Sequence, residues 1–171
     1  MGEFMVLRLI HVIGGMLWVG SGVFTAVYMV PALTEAGPAA GLVMSSLKRR
    51  HMFVVLPSIA LLTVLSGLRL MWITSAGFSS AYFATGTGIT FGIGGAAAIV
   101  AFLLGVFVGR PAGARIAQLG ETLRAGGDPE QQTTLRAELQ RVQRRSARTL
   151  RAAMFLLIIA AASMAVARYV P

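Results

Sequence analysis

The sequence contains no cysteine, which removes disulfides, thiolate metal sites, iron–sulfur clusters and cysteine nucleophiles together. Acids are scarce, with six Asp and Glu against fifteen Lys and Arg, and only 12% of the 171 residues are charged. None of the six acids lies inside the four long apolar runs, so a proton relay of membrane carboxylates is not expected. Histidine occurs twice, as His11 and His51, too few for a multi-ligand zinc or copper site within one chain. No Walker, Rossmann or nucleophile-elbow motif is present, and GTGITFGIGG (86–95) reads as a packing stretch inside an apolar helix rather than a phosphate loop.

Apolar residues are abundant. At 56% hydrophobic and a mean hydropathy of +0.76, the chain falls in the range of polytopic membrane proteins. The net charge of +9 would point to nucleic acid in a soluble protein. Here the bases sit beside apolar runs, where anionic lipid headgroups are the simpler partner, and no nucleic acid is expected. The first apolar run is too long for the core of a signal peptide and lacks a cleavage site, so it is expected to remain as a mature helix.

A helix needs roughly 20 mostly apolar residues to cross a membrane. Four segments qualify: about Phe4 to Val30, ended by Pro31; Met52 to Ile73; Tyr82 to Val108; and Leu150 to Val170. The predicted fold is all-α, a single domain of four transmembrane helices in a bundle. Between Pro31 and Arg50 the run GLVMSSL predicts a short interfacial helix. Residues 109–149 predict a long helical hairpin between helices three and four, broken at Ala125-Gly126-Gly127 and restarted by Asp128 as N-cap with Pro129 at the first helical position. Lys48, Arg49, Arg50 and nine arginines from Arg110 to Arg151 fall in the two links on one side, against Arg8, Arg69 and Arg168 on the other. The positive-inside rule then places the protein in a bacterial inner membrane as a multi-pass protein, with both termini on the periplasmic side and the hairpin in the cytoplasm against anionic lipid.

Glycine and alanine at helical spacing supply packing seams: Gly88, Gly92 and Gly95 on helix three, several glycines on helix one, and Ala160 to Ala165 with Ser163 on helix four. The candidate site lies on helix one. His11, Gly15, Trp18 and Gly22 share a face at spacings of four, three and four, with Arg8 one turn away. An imidazole in hydrocarbon is costly unless it is bound or hydrogen-bonded. A histidine backed by glycines and an aromatic wall offers a tetrapyrrole an axial nitrogen and room for a ring. Arg8, Arg69 and Arg168 reach similar heights and could meet propionates there. The bland alternative has the arginines snorkelling to headgroups and His11 bonding a backbone carbonyl. His51 starts helix two at the other end, which excludes a bis-histidine haem. Met71 and Met164 stand at comparable height to His11 but read as apolar filling.

LRLIHVIGGMLWVGSGVFTAVYMVP (7–31) followed by LKRRHMFVVLPSIALLTVLSGLRLMW (47–72) resembles the opening half of HemJ-type protoporphyrinogen oxidases, and more loosely CopD-type copper-resistance membrane proteins. The shared features are a histidine near the start of helix one, a tryptophan about two turns later, and a basic stretch leading into a helix with a proline and a later glycine, here Arg49-Arg50, Pro57 and Gly67. The likeness covers residues 7 to 73. It implies haem b or porphyrin binding, with His11 as the haem-ligand histidine. The family's lysine near the start of helix three has no counterpart among Gly86, Thr87, Gly88, Ile89 and Thr90, so porphyrinogen oxidation is not expected to carry over. Three functions remain open from the sequence, one of them the porphyrinogen-oxidising enzyme that the resemblance implies and the missing lysine speaks against. Another is a small haem- or tetrapyrrole-binding electron-transfer protein with His11 as metal ligand. The third is a non-catalytic accessory subunit of a larger respiratory or photosynthetic membrane complex.

Overall fold

The computed structural model describes residues 2–171 as helices joined by short turns, with no strand among them. Four helices are long and apolar enough to cross a membrane: Gly2–Glu35, Met52–Thr74, Gly86–Ala125 and Pro129–Tyr169. In chain order, α1 runs Gly2–Glu35, α2 Ala40–Arg49, α3 Met52–Thr74, α4 Ser80–Phe83, α5 Gly86–Ala125 and α6 Pro129–Val166. The predicted interfacial helix is α2. Its last turn carries Lys48 and Arg49, and His51 follows in the left-handed conformation at φ 57° to turn the chain into α3.

Two boundaries differ from the sequence reading. Pro31 does not end α1. The proline ring crowds the carbonyl four residues back, that of Val27, and has no N–H to donate. The backbone answers by widening into a five-residue π turn, Thr25–Met29, after which the helix runs on to Glu35. Nor does the third long helix start at Tyr82. Ser80–Phe83 forms its own single turn, and the chain breaks at Thr85, whose hydroxyl caps the new helix by accepting from Gly88 N–H at 3.0 Å.

The long α6 restarts as its signals predict. Asp128 caps it by accepting from Gln131 N–H at 3.3 Å, Pro129 stands in the first turn, and 38 residues follow without a break, about 57 Å at about 1.5 Å per residue. Its polar half runs beside the end of α5, joined by Arg115, which makes two bonds of 3.0 and 2.6 Å to Glu138. Leu119, 2% exposed, is the apolar seam beneath them.

α1 packs along α3 and α5 along α6, giving two hairpins that meet mainly through α1 against α6 and α3 against α5. The hairpins share one construction. An offset of 80 residues lays Ile13-Gly14-Gly15 over Ile93-Gly94-Gly95, the π turn Thr25–Met29 over the π turn Gly105–Gly109, and Pro31 over Pro111. In the first hairpin a Cβ at Gly14 would collide with the Thr63 hydroxyl. In the second, a Cβ at Gly94 would lie 3.1 Å from Ser163 Cβ. A glycine meeting a small hydroxyl residue is thus what lets each pair of backbones close. The same offset puts Phe91 where the first hairpin has His11.

Asp128→Ala should free the Gln131 amide and cost about 0.5–2 kcal/mol at the start of α6. Hydrogen exchange should show faster exchange confined to residues 129–133. Unchanged protection there would mean that the cap contributes nothing.

Candidate functional site

His11 stands nine residues along α1 from Gly2, about 14 Å into the helix at about 1.5 Å per residue. Its ring crosses to α3. Nδ1 donates to the Thr63 carbonyl at 2.8 Å. That carbonyl also accepts from Ser66 Oγ at 3.1 Å, and Thr63 and Ser66 are both buried. Gly67 makes the approach possible, because a Cβ there would stand 2.6 Å from His11 Cε1 and 2.9 Å from Nδ1. Three residues of one α3 face, Thr63, Ser66 and Gly67, therefore hold the imidazole.

The bond fixes the tautomer. A carbonyl can only accept, so in the neutral ring the proton sits on Nδ1 and Nε2 carries a bare lone pair. Nε2 points at α6, where Met164 Sδ lies 3.5 Å away. A thioether has no proton to give either.

The remaining predicted site residues are placed as follows. Trp18 meets Phe102 of α5 edge-on, ring centroids 6.3 Å apart. Gly15 faces Thr63 Cγ2 at an ordinary 3.9 Å, while its neighbour Gly14 makes the close approach, and a Cβ at Gly22 would come within 3.0 Å of Leu157 Cδ1. Arg69 is ion-paired with Glu3 at 2.8 Å, both well exposed. Arg168 donates to the Tyr169 hydroxyl at 2.8 Å and lies over its ring. Arg8 is exposed. The structure thus gives His11 the backbone-carbonyl partner that the bland alternative expects, places Gly67 and Met164 against its ring, and gives two of the three arginines partners of their own.

A flat macrocycle does not fit the His11 face as packed. Leu157 and Phe102 fill the places opposite Gly22 and Trp18, and Met164 closes Nε2. A tetrapyrrole on His11 requires the two hairpins to part. Among the described residues no three His, Cys, Asp or Glu side chains converge on a metal position. Met164 escaped the sequence reading because a methionine among Ala160–Val166 has the composition of filling. Its pairing with His11 spans 153 positions and follows only from the packing of α1 on α6.

No family model, curated protein or solved structure matches the chain.

Gly67→Ala should displace the imidazole and lower stability by about 1–3 kcal/mol. Gly15→Ala, whose nearest neighbour is already at van der Waals distance, should change it by under about 1 kcal/mol. Thermal unfolding in detergent measures both. Equal tolerance at the two positions would contradict the packing of His11 on α3.

Proposed function

We propose that this is an integral membrane protein of four transmembrane helices packed as a bundle, whose chemistry is carried by His11 as a metal ligand. The termini face the periplasmic side of a bacterial inner membrane. The arginine-rich ends of α5 and α6, together with α2, face cytoplasmic anionic headgroups. Support for the topology is the segregation of Lys48, Arg49, Arg50 and the hairpin arginines from Arg8, Arg69 and Arg168. Support for the ligand role is one observation, the bond from Nδ1 to the Thr63 carbonyl. Metal-bound histidines characteristically donate their other ring nitrogen to a carbonyl or carboxylate, which orients the ring and raises its basicity.

The group favoured by the sequence is a haem b-type tetrapyrrole, and electron transfer is the use proposed for it. With the hairpins parted, His11 would hold such a group through Nε2, and the group would supply one-electron chemistry. The protein's own part is to fix the tautomer, through Thr63, and to exclude water, through the apolar faces around it. Porphyrinogen oxidation is not proposed, since the lysine implied by the resemblance is missing. An accessory role in a larger complex is favoured by one feature: α1 has no buried residue along its membrane-length window. Stoichiometric large subunits co-purifying with the chain would establish that role, and a solitary chain in mild detergent would count against it.

Protein purified from haem-replete cells should show a Soret band and a reduced-minus-oxidised difference spectrum, both lost in His11→Ala. Absence of the band in the native protein would sink the haem reading. A band that survives His11→Ala unchanged would move the ligand elsewhere.

A further inference from the structure

We propose that His11 and Met164 form a binding site for a bare soft cation, Cu(I) or Ag(I), between the two hairpins. The inference rests on His11 being a metal ligand but needs no tetrapyrrole. Its origin is the unshared contact between α1 and α6. In the neutral ring, with the Nδ1 proton committed to Thr63, Nε2 and Sδ face each other at 3.5 Å as two lone-pair donors. A cation is the partner that satisfies both.

Distance decides which kind of centre this is. Ordinary metal bonds of about 2.0–2.1 Å to imidazole nitrogen and about 2.3 Å to sulfur, spanning donors 3.5 Å apart, require an angle at the metal of about 107°. That is close to tetrahedral. Donors on opposite faces of a haem would stand about 4.3 Å apart by the same bond lengths. The pair as built therefore suits a single ion with bent coordination.

The donors choose the ion. Neutral imidazole and thioether are soft to borderline ligands, and thioether sulfur selects Cu(I) over hard divalent ions, which here would also lack carboxylates. A further thioether packs at the neighbouring glycine. Met71 lies one turn beyond Gly67 on α3, and its methyl carbon is 3.5 Å from a Cβ built at Gly95; Met164 Cγ is 3.4 Å from one built at the neighbouring Gly94. The surroundings are half-buried and apolar, and the Thr63 carbonyl behind the ring supplies the outer hydrogen bond that such sites use.

The shared construction of the hairpins sharpens the assignment. At the offset that matches Gly14 with Gly94 the second hairpin has Phe91 in place of His11. At the offset that matches Thr63 with Ser163 the first has Val64 in place of Met164. Each hairpin carries one donor, and the structure brings those two donors together.

Titration of the detergent-purified protein with Cu(I) in competition with a chromophoric Cu(I) chelator, and with Ag(I), tests this. The native chain should bind one ion with nitrogen and sulfur neighbours by X-ray absorption. Met164→Leu should weaken binding by at least about tenfold while keeping the native helix content and melting temperature within a few degrees, and His11→Phe should weaken it as much while also losing the bond to Thr63. Undiminished binding by Met164→Leu, or no binding by the native chain, overturns the proposal. Loss in His11→Phe alone also overturns the pairing but leaves His11 a ligand. Haem extracted from the same preparation reports on the tetrapyrrole reading separately.

Discussion

The hydrogen bond from His11 Nδ1 to the Thr63 carbonyl, 2.8 Å long, is the constraint around which the apolar half of this protein is arranged. Without a partner an imidazole among leucines and isoleucines would carry an unpaid desolvation cost. With it, the ring is oriented, its proton is assigned, and its second nitrogen is directed across the molecule. Gly67 exists as glycine to let the ring approach, and Gly14 lets α1 lie close enough to α3 for the bond to form. Thr63 hydroxyl meanwhile satisfies itself on the Ile59 carbonyl at 2.8 Å, so no polar group is left over on that face.

A bond to a backbone carbonyl is what a structural histidine also makes, so the two uses of His11 differ only at its second nitrogen. A structural histidine with both nitrogens satisfied by backbone would be inert. Here one nitrogen is satisfied and the other faces only sulfur. That asymmetry comes from the packing of the two hairpins, one contributing His11 and the other Met164. A haem and a bare soft ion make different demands on the interface: the first needs the hairpins apart, the second suits the 3.5 Å between its two donors.

Much of the fold was legible in the sequence because membrane-length apolar runs, an Asp-Pro start and an Ala-Gly-Gly break are local signals. The four long helices and the restart at Asp128 follow from them. Pro31 misled because its effect depends on whether the backbone can widen, and the π turn at Thr25–Met29 is that widening. The histidine and the glycine face of helix one were also visible. The carbonyl of Thr63 was not, since every residue carries one and only the crossing of α1 and α3 selects it. Met164 was visible but indistinguishable from filling. The repeated Ile-Gly-Gly and proline at an offset of 80 also lay in the chain all along and mark the first and third long helices as counterparts, although most other positions differ between them.

The protonation of the His11 ring is the most direct measure of this account. Nitrogen NMR of the protein labelled at histidine, free of added metal and with the exposed His51 as internal comparison, reads each ring nitrogen separately. For the neutral ring of His11 the account predicts the tautomer with the proton on Nδ1 and none on Nε2. A proton found on Nε2, with Nδ1 bare, would contradict it.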